Sequence, residues 1–82
     1  MYCVYILQSQ MDQSYYIGYT SNIENRLTYH NQGRSRYTRK KIPWLLMYSE
    51  KYNSKRDALI REKFLKKQKS RVFIEELIFS SN

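Results

Sequence analysis

The chain has 82 residues, 15 of them Lys or Arg and seven Asp or Glu, for a formal net charge of +8. That length suits one domain, residues 1–82, and excludes a second of ordinary size. The charge excess points to a polyanionic partner, most often nucleic acid, with an anionic membrane surface as the weaker alternative.

A chain this short buries roughly 60–65% of its unfolded surface, so its core is thin. Nine Tyr, three Phe and one Trp must do much of the filling. Tyrosine can fill core and still present a hydroxyl. Cys3 is the one cysteine, which excludes an internal disulfide and a cysteine-held metal. That suits a reducing cytoplasm, with nucleoid association an extension of the same reading. The apolar run in MYCVYILQSQ is too short to span a membrane and has no basic leader.

Tyr2 to Leu7 is β-branched and aromatic. Cys3, Tyr5 and Leu7 fall on one face, and Tyr2, Val4 and Ile6 on the other. With both faces apolar, it predicts a buried, central strand. Gln8 to Ser14 is polar and predicts a hairpin loop. Tyr15 to Thr20 predicts an antiparallel neighbour strand. Gly18 within it marks a bulge or a close approach to the backbone.

Ser21-Asn22-Ile23-Glu24 fits a capping box with Ser21 as N-cap. The helix it opens is predicted to run to about Gln32, with Gly33 as the stop. Ile23, Arg26, Leu27 and His30 share one face, turned toward the sheet. Arg26 and His30 are thus expected at the edge of the core. Arg34 to Lys41 reads RSRYTRKK, five basic residues in eight, and predicts a mobile loop. After Pro43, Trp44 to Tyr48 predicts a third strand. Ser54 and Asp57 cap a second helix carrying Ala58, Leu59, Phe64 and Leu65, ending near Gln68 or Lys69. Ser70 starts a last helix with Val72, Phe73, Leu77 and Ile78 as its apolar positions. The predicted class is α+β, order ββαβαα, a small sheet covered by helices.

Glu62 lies in the apolar stripe of Ala58, Leu59 and Leu65, where a carboxylate is costly without a partner. Two readings stand level: a metal ligand, or an i,i+4 ion pair with Lys66 worth about 0.3–0.5 kcal/mol. The other carboxylates have simpler places. Glu24 and Asp57 cap helices, Asp12 is in a loop, and Glu50, Glu75 and Glu76 are expected in solvent. A two-metal site needs several acidic ligands close together, and none cluster here. One carboxylate can hold one Mg²⁺, which keeps several of its waters. His30 is the only histidine, which weighs against multi-histidine metal sites. Tyr5 and Tyr16 lie on adjacent strands. For an arbitrary pair, core tyrosines with local hydrogen bonds is the stronger reading.

The ordered set Cys3-Val4-Tyr5, Tyr16-Ile17-Gly18, Arg26 eight residues beyond the glycine, His30 and Glu62 resembles the GIY-YIG endonuclease domain. The resemblance extends over nearly the whole chain, including HNQGRSRYTRKKIPW, and is strongest to small stand-alone members. These are similar in turn to the catalytic domains of an excision-repair nuclease and of branched-DNA nucleases. A triplet such as YIG is weak alone; the ordered set is specific. Cys3 stands where the family's name has Gly, and Arg36 or Arg39 occupies the region of a second motif histidine.

The resemblance implies a three-stranded antiparallel sheet flanked by helices. It implies hydrolysis of DNA phosphodiesters with one Mg²⁺ or Mn²⁺ held by Glu62. Tyr5 matches the general base toward water, with Arg26 and nearby basic groups favouring its phenolate or His30 taking its proton onward. Tyr16 matches the tyrosine that orients water or phosphate. Arg26 matches the arginine on the scissile phosphate. His30 matches a histidine that contacts phosphate or relays a proton. Gly18 brings the backbone close to the site and to DNA.

The 82 residues hold no separate DNA-recognition domain. Contacts are therefore expected from Arg34, Arg36, Arg39, Lys40 and Lys41, and from Lys55, Arg56, Lys63, Lys66 and Lys67, or from a protein partner that supplies specificity. Such contacts position DNA without reading sequence, so branched or damaged shapes are the expected substrates in repair or processing. The rival reading is a non-catalytic basic nucleic-acid-binding module. A membrane-surface role is disfavoured because basic residues from Lys55 to Arg71 surround their helix rather than lie on one face.

Overall fold

The structure is a computed structural model, and it describes residues 1–80. Strand β1 (Tyr2–Ser9) pairs antiparallel with β2 (Tyr15–Thr20) and β3 (Trp44–Tyr52), in the order β2-β1-β3. Helix α1 (Ile23–Asn31) lies between β2 and β3 in sequence. Helices α2 (Lys55–Gln68) and α3 (Arg71–Ser80) follow. This is the expected ββαβαα order and α+β class.

The two apolar faces of β1 explain its central place. Val4 packs with Ala58 and Leu65 of α2, and Ile6 with Ile74 and Ile78 of α3. On the other face Tyr5 and Leu7 pack with Trp44, and with Ile23 and Leu27 of α1. A strand covered on both sides must be apolar on both sides. The hairpin closes through Ser9 and Ser14, with Gln13 in the left-handed region at φ 62°. The β1–β3 ladder shifts register between Ile6 and Leu7, which face Tyr48 and Leu46 and leave Met47 unmatched.

Helix ends follow local chemistry, with one shift from expectation. The N-cap of α1 is Asn22, not Ser21: Asn22 Oδ1 accepts from the Asn25 amide at 3.0 Å. The Thr20 hydroxyl holds the preceding turn, accepting from the Asn22 amide at 3.1 Å. Gly33, at φ +76°, stops α1 as predicted. Ser54 caps α2 by accepting from the Asp57 amide at 3.1 Å. Lys69, left-handed at φ 46°, ends α2. Ser70 Oγ accepts from the Phe73 amide at the start of α3.

Some predicted apolar positions turn outward. Val72 is 64% exposed, and Ile74 takes the inward place with Ile78, four residues on. Phe64 is also exposed, its ring against Phe73 and beneath the Arg61 guanidinium. Among the described residues no helix is long and apolar enough to cross a membrane.

The segment Arg34 to Lys41 is pinned down rather than mobile. Ser35 and Thr38 are buried, and Arg39–Lys41 forms a 3-10 turn. The Trp44 indole N–H donates to the Thr38 carbonyl at 2.9 Å, and Ser9 Oγ to the Lys41 carbonyl at 2.7 Å. The basic side chains point out while the backbone serves buried donors, a division that charge counting misses.

β3 runs four residues further than predicted, to Tyr52, and this places Glu50 against α2. Glu50 is therefore not a solvated carboxylate. Arg61 grips it with both prongs, Nε to Oε1 at 2.9 Å and Nη2 to Oε2 at 3.0 Å. The Tyr48 and Tyr52 hydroxyls donate to the same carboxylate. Burial pushes the Glu50 carboxyl up, but these hydrogen bonds more than offset it and the net shift is downward. Both phenols rise to about 12, burial first and their bonds to Glu50 second.

A carboxyl held low in the folded state stabilises above its unfolded value of 4.5 and loses that stabilisation as pH falls through the folded value. Arg61→Ala is expected to cost about 2 kcal/mol at neutral pH. In urea melts across pH 2–6, Glu50→Gln is expected to flatten the acid limb of the stability profile. An unchanged acid limb counts against this role for Glu50.

Candidate active site

Tyr5 sits mid-strand in β1, and its cross-strand partner is Gly18. The close approach expected at Gly18 is real, but the Tyr5 ring makes it. A Cβ at residue 18 would lie 2.5 Å from the phenol oxygen and 2.7 Å from Cζ. Gly18 is buried under that ring, so the space it leaves serves Tyr5 before it can serve DNA. Tyr16, two residues earlier in β2, points to the same face, its ring centroid 6.4 Å from that of Tyr5.

α1 adds Arg26 and His30 to this face, one turn apart. The Arg26 guanidinium lies over the Tyr29 ring at 5.0 Å. No carboxylate ion-pairs with it among the described residues, which leaves its charge free for an anion. His30 goes further in than the core edge, at 1% exposure. Its Nε2 is 3.0 Å from the Tyr5 hydroxyl, and its Nδ1 is 2.8 Å from Thr38 Oγ1. That burial withholds His30 from a phosphate; its reach is to Tyr5. Its position four residues after Arg26 explains the difference: Ile23 and Leu27 pull this stripe of α1 onto Tyr5, Leu7 and Trp44.

Glu62 enters from α2 at 9% exposure. Both sequence readings of it have a counterpart: Lys66 Nζ lies 3.4 Å from Oε2, and the residue also lines a cleft. That cleft, of about 350 Å³, is lined by Tyr5, Tyr16, Gly18 and Arg26, and by Lys55 and Glu62. It draws on both faces of the sheet. Tyr2, Tyr19, Thr20 and Ser21 complete its wall and were not marked by sequence pattern. A wider groove of about 650 Å³ shares Thr20, Ser21 and Arg26 and continues along α1 to Gln32 and Arg34.

Of the expected DNA contacts, Lys55 reaches the cleft and Arg34 the groove. Arg36, Arg39, Lys40, Arg56, Lys63 and Lys67 are exposed outside it. Lys41 pairs with Asp12 at 3.2 Å, and Lys66 with Glu62. Thr38 is the residue that sequence reasoning missed. It sits inside a basic run, and no periodicity sets it apart.

Burial drives the Tyr5 phenol well above its ordinary value of 10, and Tyr16 and Glu62 add to the rise. Arg26 pulls the other way and is outweighed, so the phenolate is not favoured here, contrary to expectation. Burial, then Arg26, holds His30 below 6.5, so it is neutral at pH 7.

Among the described residues no three His, Cys, Asp or Glu side chains gather to cage a metal. A lone carboxylate in an open polar cleft suits a hard cation that keeps most of its waters, as Mg²⁺ does. It does not suit a tetrahedral zinc site.

A three-stranded antiparallel sheet carrying two tyrosines on one face, with an arginine from α1 and a carboxylate from α2 at the same cleft, is a small α+β domain built around one polar site. The family model described as GIY-YIG catalytic domain matches residues 1–75, and the chain belongs to that nuclease family. It is similar to a UPF0213 protein of Streptococcus pneumoniae serotype 4, 42% identical over 67 residues that cover 80% of this chain and 67% of that protein. A UPF0213 protein of Streptococcus agalactiae serotype V is 44% identical over 69 residues, covering 83% and 76%. The solution NMR structure of a UPF0213 protein from Bacillus halodurans matches with a TM-score of 0.58 at 35% identity. That match covers 95% of this chain and 83% of the other. Nucleases of this family generally use a divalent metal.

Gly18→Ala drives a methyl into a rigid, hydrogen-bonded ring and is expected to cost about 1–3 kcal/mol in thermal unfolding. A neutral melting shift indicates that the Tyr5 ring can move aside. For His30, NMR titration of the imidazole is expected to give a midpoint below 6.5. A base depressed on folding stabilises above its unfolded value and loses this as pH falls through the folded one. A midpoint at or above 6.5 overturns the buried, neutral assignment.

Proposed function

We propose that this chain is a metal-dependent endonuclease that hydrolyses DNA phosphodiesters, selecting by shape rather than sequence. The observation that carries the reading is the single cleft holding Tyr5, Tyr16, Arg26 and Glu62. Arg26, unpaired and always charged, takes two non-bridging oxygens of the scissile phosphate in a bidentate contact. Tyr16 orients the attacking water against that phosphate.

Tyr5 acts as base through a relay. It accepts a proton from the water as its own O–H proton passes to His30 Nε2. The phenolate does not then arise; the charge falls instead on His30 as an imidazolium, which burial and Arg26 make a brief holder of the proton. Glu62 is the residue that would hold one Mg²⁺ or Mn²⁺. When bound, the ion supplies charge stabilisation for the phosphate and the leaving oxygen.

Lys55, Arg56, Lys63 and Lys67 of α2, with Arg34, Arg36, Arg39 and Lys40, are assigned to flanking phosphates. Lys41 and Lys66 join them if DNA displaces Asp12 and Glu62 as partners. These contacts make affinity fall steeply with salt. They suit branched or damaged DNA in repair or processing, with a protein partner as the source of any finer specificity. The cytoplasm, at the nucleoid, is the compartment this assigns.

Nicking is to be measured on plasmid, flap, junction and single-stranded DNA with Mg²⁺, Mn²⁺ or chelator. Glu62→Gln and Arg26→Ala are each expected to lower it about 100-fold or more with the circular dichroism spectrum unchanged. Undiminished nicking by Glu62→Gln counts against the site. Salt-sensitive binding without cleavage in either metal replaces the nuclease reading with a basic binding module.

A further inference from the structure

We infer that Tyr37 is a stacking platform for an unpaired base of the DNA, and so the residue by which this surface selects branched or single-stranded shapes. Its place beside a cutting site rests on the nuclease reading above; base stacking itself needs neither metal nor turnover.

Tyr37 is 79% exposed, while every other tyrosine of the chain is buried or half-buried. A thin core that draws on tyrosine for its filling leaves this one ring in water. Its backbone is nevertheless fixed. The Thr38 and Arg39 amides both donate to the Ser35 carbonyl, at 3.2 and 3.0 Å, and Tyr37 lies in the middle of the turn they close. Ser35 before it and Thr38 after it are buried, and the Thr38 carbonyl accepts from Trp44 Nε1 at 2.9 Å. A ring carried on a fixed turn loses little backbone freedom when a base stacks on it.

The turn is also cationic without a counterion. Arg34, Arg36, Arg39 and Lys40 are exposed, and among the described residues none of them ion-pairs with a carboxylate. An aromatic ring set among cations suits a single strand: the cations take phosphates on either side of the base that stacks. Phosphate contacts alone do not separate a continuous duplex from a branched one, since both offer the same backbone. A ring needs an open base face, which a continuous duplex hides in its own stack. Tyr37 supplies the discrimination that the cations cannot.

The turn lies within reach of the cleft. The hydroxyl of Thr38, next in the chain, is 2.8 Å from His30 Nδ1, and His30 Nε2 is 3.0 Å from the Tyr5 hydroxyl. On the outer side, the groove of about 650 Å³ leaves the cleft at Arg26 and runs along α1 to Arg34, three residues before Tyr37. A strand laid from the scissile position along that groove arrives at the basic turn within a few nucleotides. An unpaired arm can then stack on Tyr37 while its junction stays at Arg26.

Binding is to be read by fluorescence anisotropy in chelator, on a single strand, a flap and a closed dumbbell duplex without free ends. Tyr37→Ala is expected to weaken binding of the single strand and the flap about fivefold or more, and of the dumbbell less than about twofold, with the thermal melt unchanged. Tyr37→Phe and Tyr37→Trp are expected to bind as wild type does, because stacking uses the ring. A 2-aminopurine in the flap arm is expected to be quenched by wild type and not by Tyr37→Ala. The slope of affinity against salt is expected to persist in Tyr37→Ala and to fall by about one in Arg36→Ala. No loss in Tyr37→Ala, an equal loss on dumbbell and single strand, or a Tyr37→Phe as weak as Tyr37→Ala each overturns the inference. Wild type that binds none of the three substrates overturns it together with the nuclease reading. Wild type that shows the expected stacking but cuts no DNA with Mg²⁺ or Mn²⁺ leaves Tyr37 its role and removes the nuclease reading alone.

Discussion

A phenol buried at 2% exposure must find a hydrogen-bond partner inside the protein, and Tyr5 finds His30. Much of the structure follows from that bond. Gly18 leaves the space in β2 that the Tyr5 ring occupies. Ile23 and Leu27 seat α1 so that His30 arrives over the sheet. Thr38 completes the imidazole from behind, and the Trp44 indole holds Thr38. A basic segment and a third strand are thus tied to the chemistry of one tyrosine.

Charge is distributed in two ways with different consequences. Glu50 and Arg61 neutralise each other between β3 and α2, and two tyrosine hydroxyls complete the carboxylate. That pair is architecture: it fastens a helix to an edge strand. Arg26 and Glu62 share a cleft and do not pair with each other. Arg26 keeps its charge available to an anion, while Glu62 has a single exposed-side partner in Lys66. Such a surface lysine contact is weak and is easily exchanged. A net charge of +8 therefore has a local structure: exposed cations around a cleft that holds one carboxylate.

A site of this kind has little room for a free phenolate. Burial and the Glu62 carboxylate both oppose negative charge on Tyr5, and Arg26 does not reverse them. A neutral histidine stands in contact with the hydroxyl, and the same burial, with Arg26, keeps its imidazole from holding a proton of its own. The same burial that fills a thin core with tyrosine also keeps that tyrosine protonated.

Most of the fold was legible from local pattern. The two-sided apolar run of β1, the capped start of α2 and the glycine stop after α1 each follow from short-range chemistry. The residue set Tyr5, Tyr16, Arg26 and Glu62 was legible too, as an ordered spacing, and the fold brings it to one cleft.

A local contact decided one departure, the α1 cap, and tertiary packing decided the others. The α1 cap moved to Asn22 because the Thr20 hydroxyl captures the turn before it. Val72 turned out and Ile74 turned in because α3 packs on Ile6. Glu50 left solvent because β3 extends to meet Arg61. Thr38 had no sequence signal, since a hydroxyl in a basic run becomes significant only when a buried imidazole comes to lie 2.8 Å away. Sequence spacing determined which residues can share a face. Long-range burial decided which of them lost water, and with it their protonation and their partners.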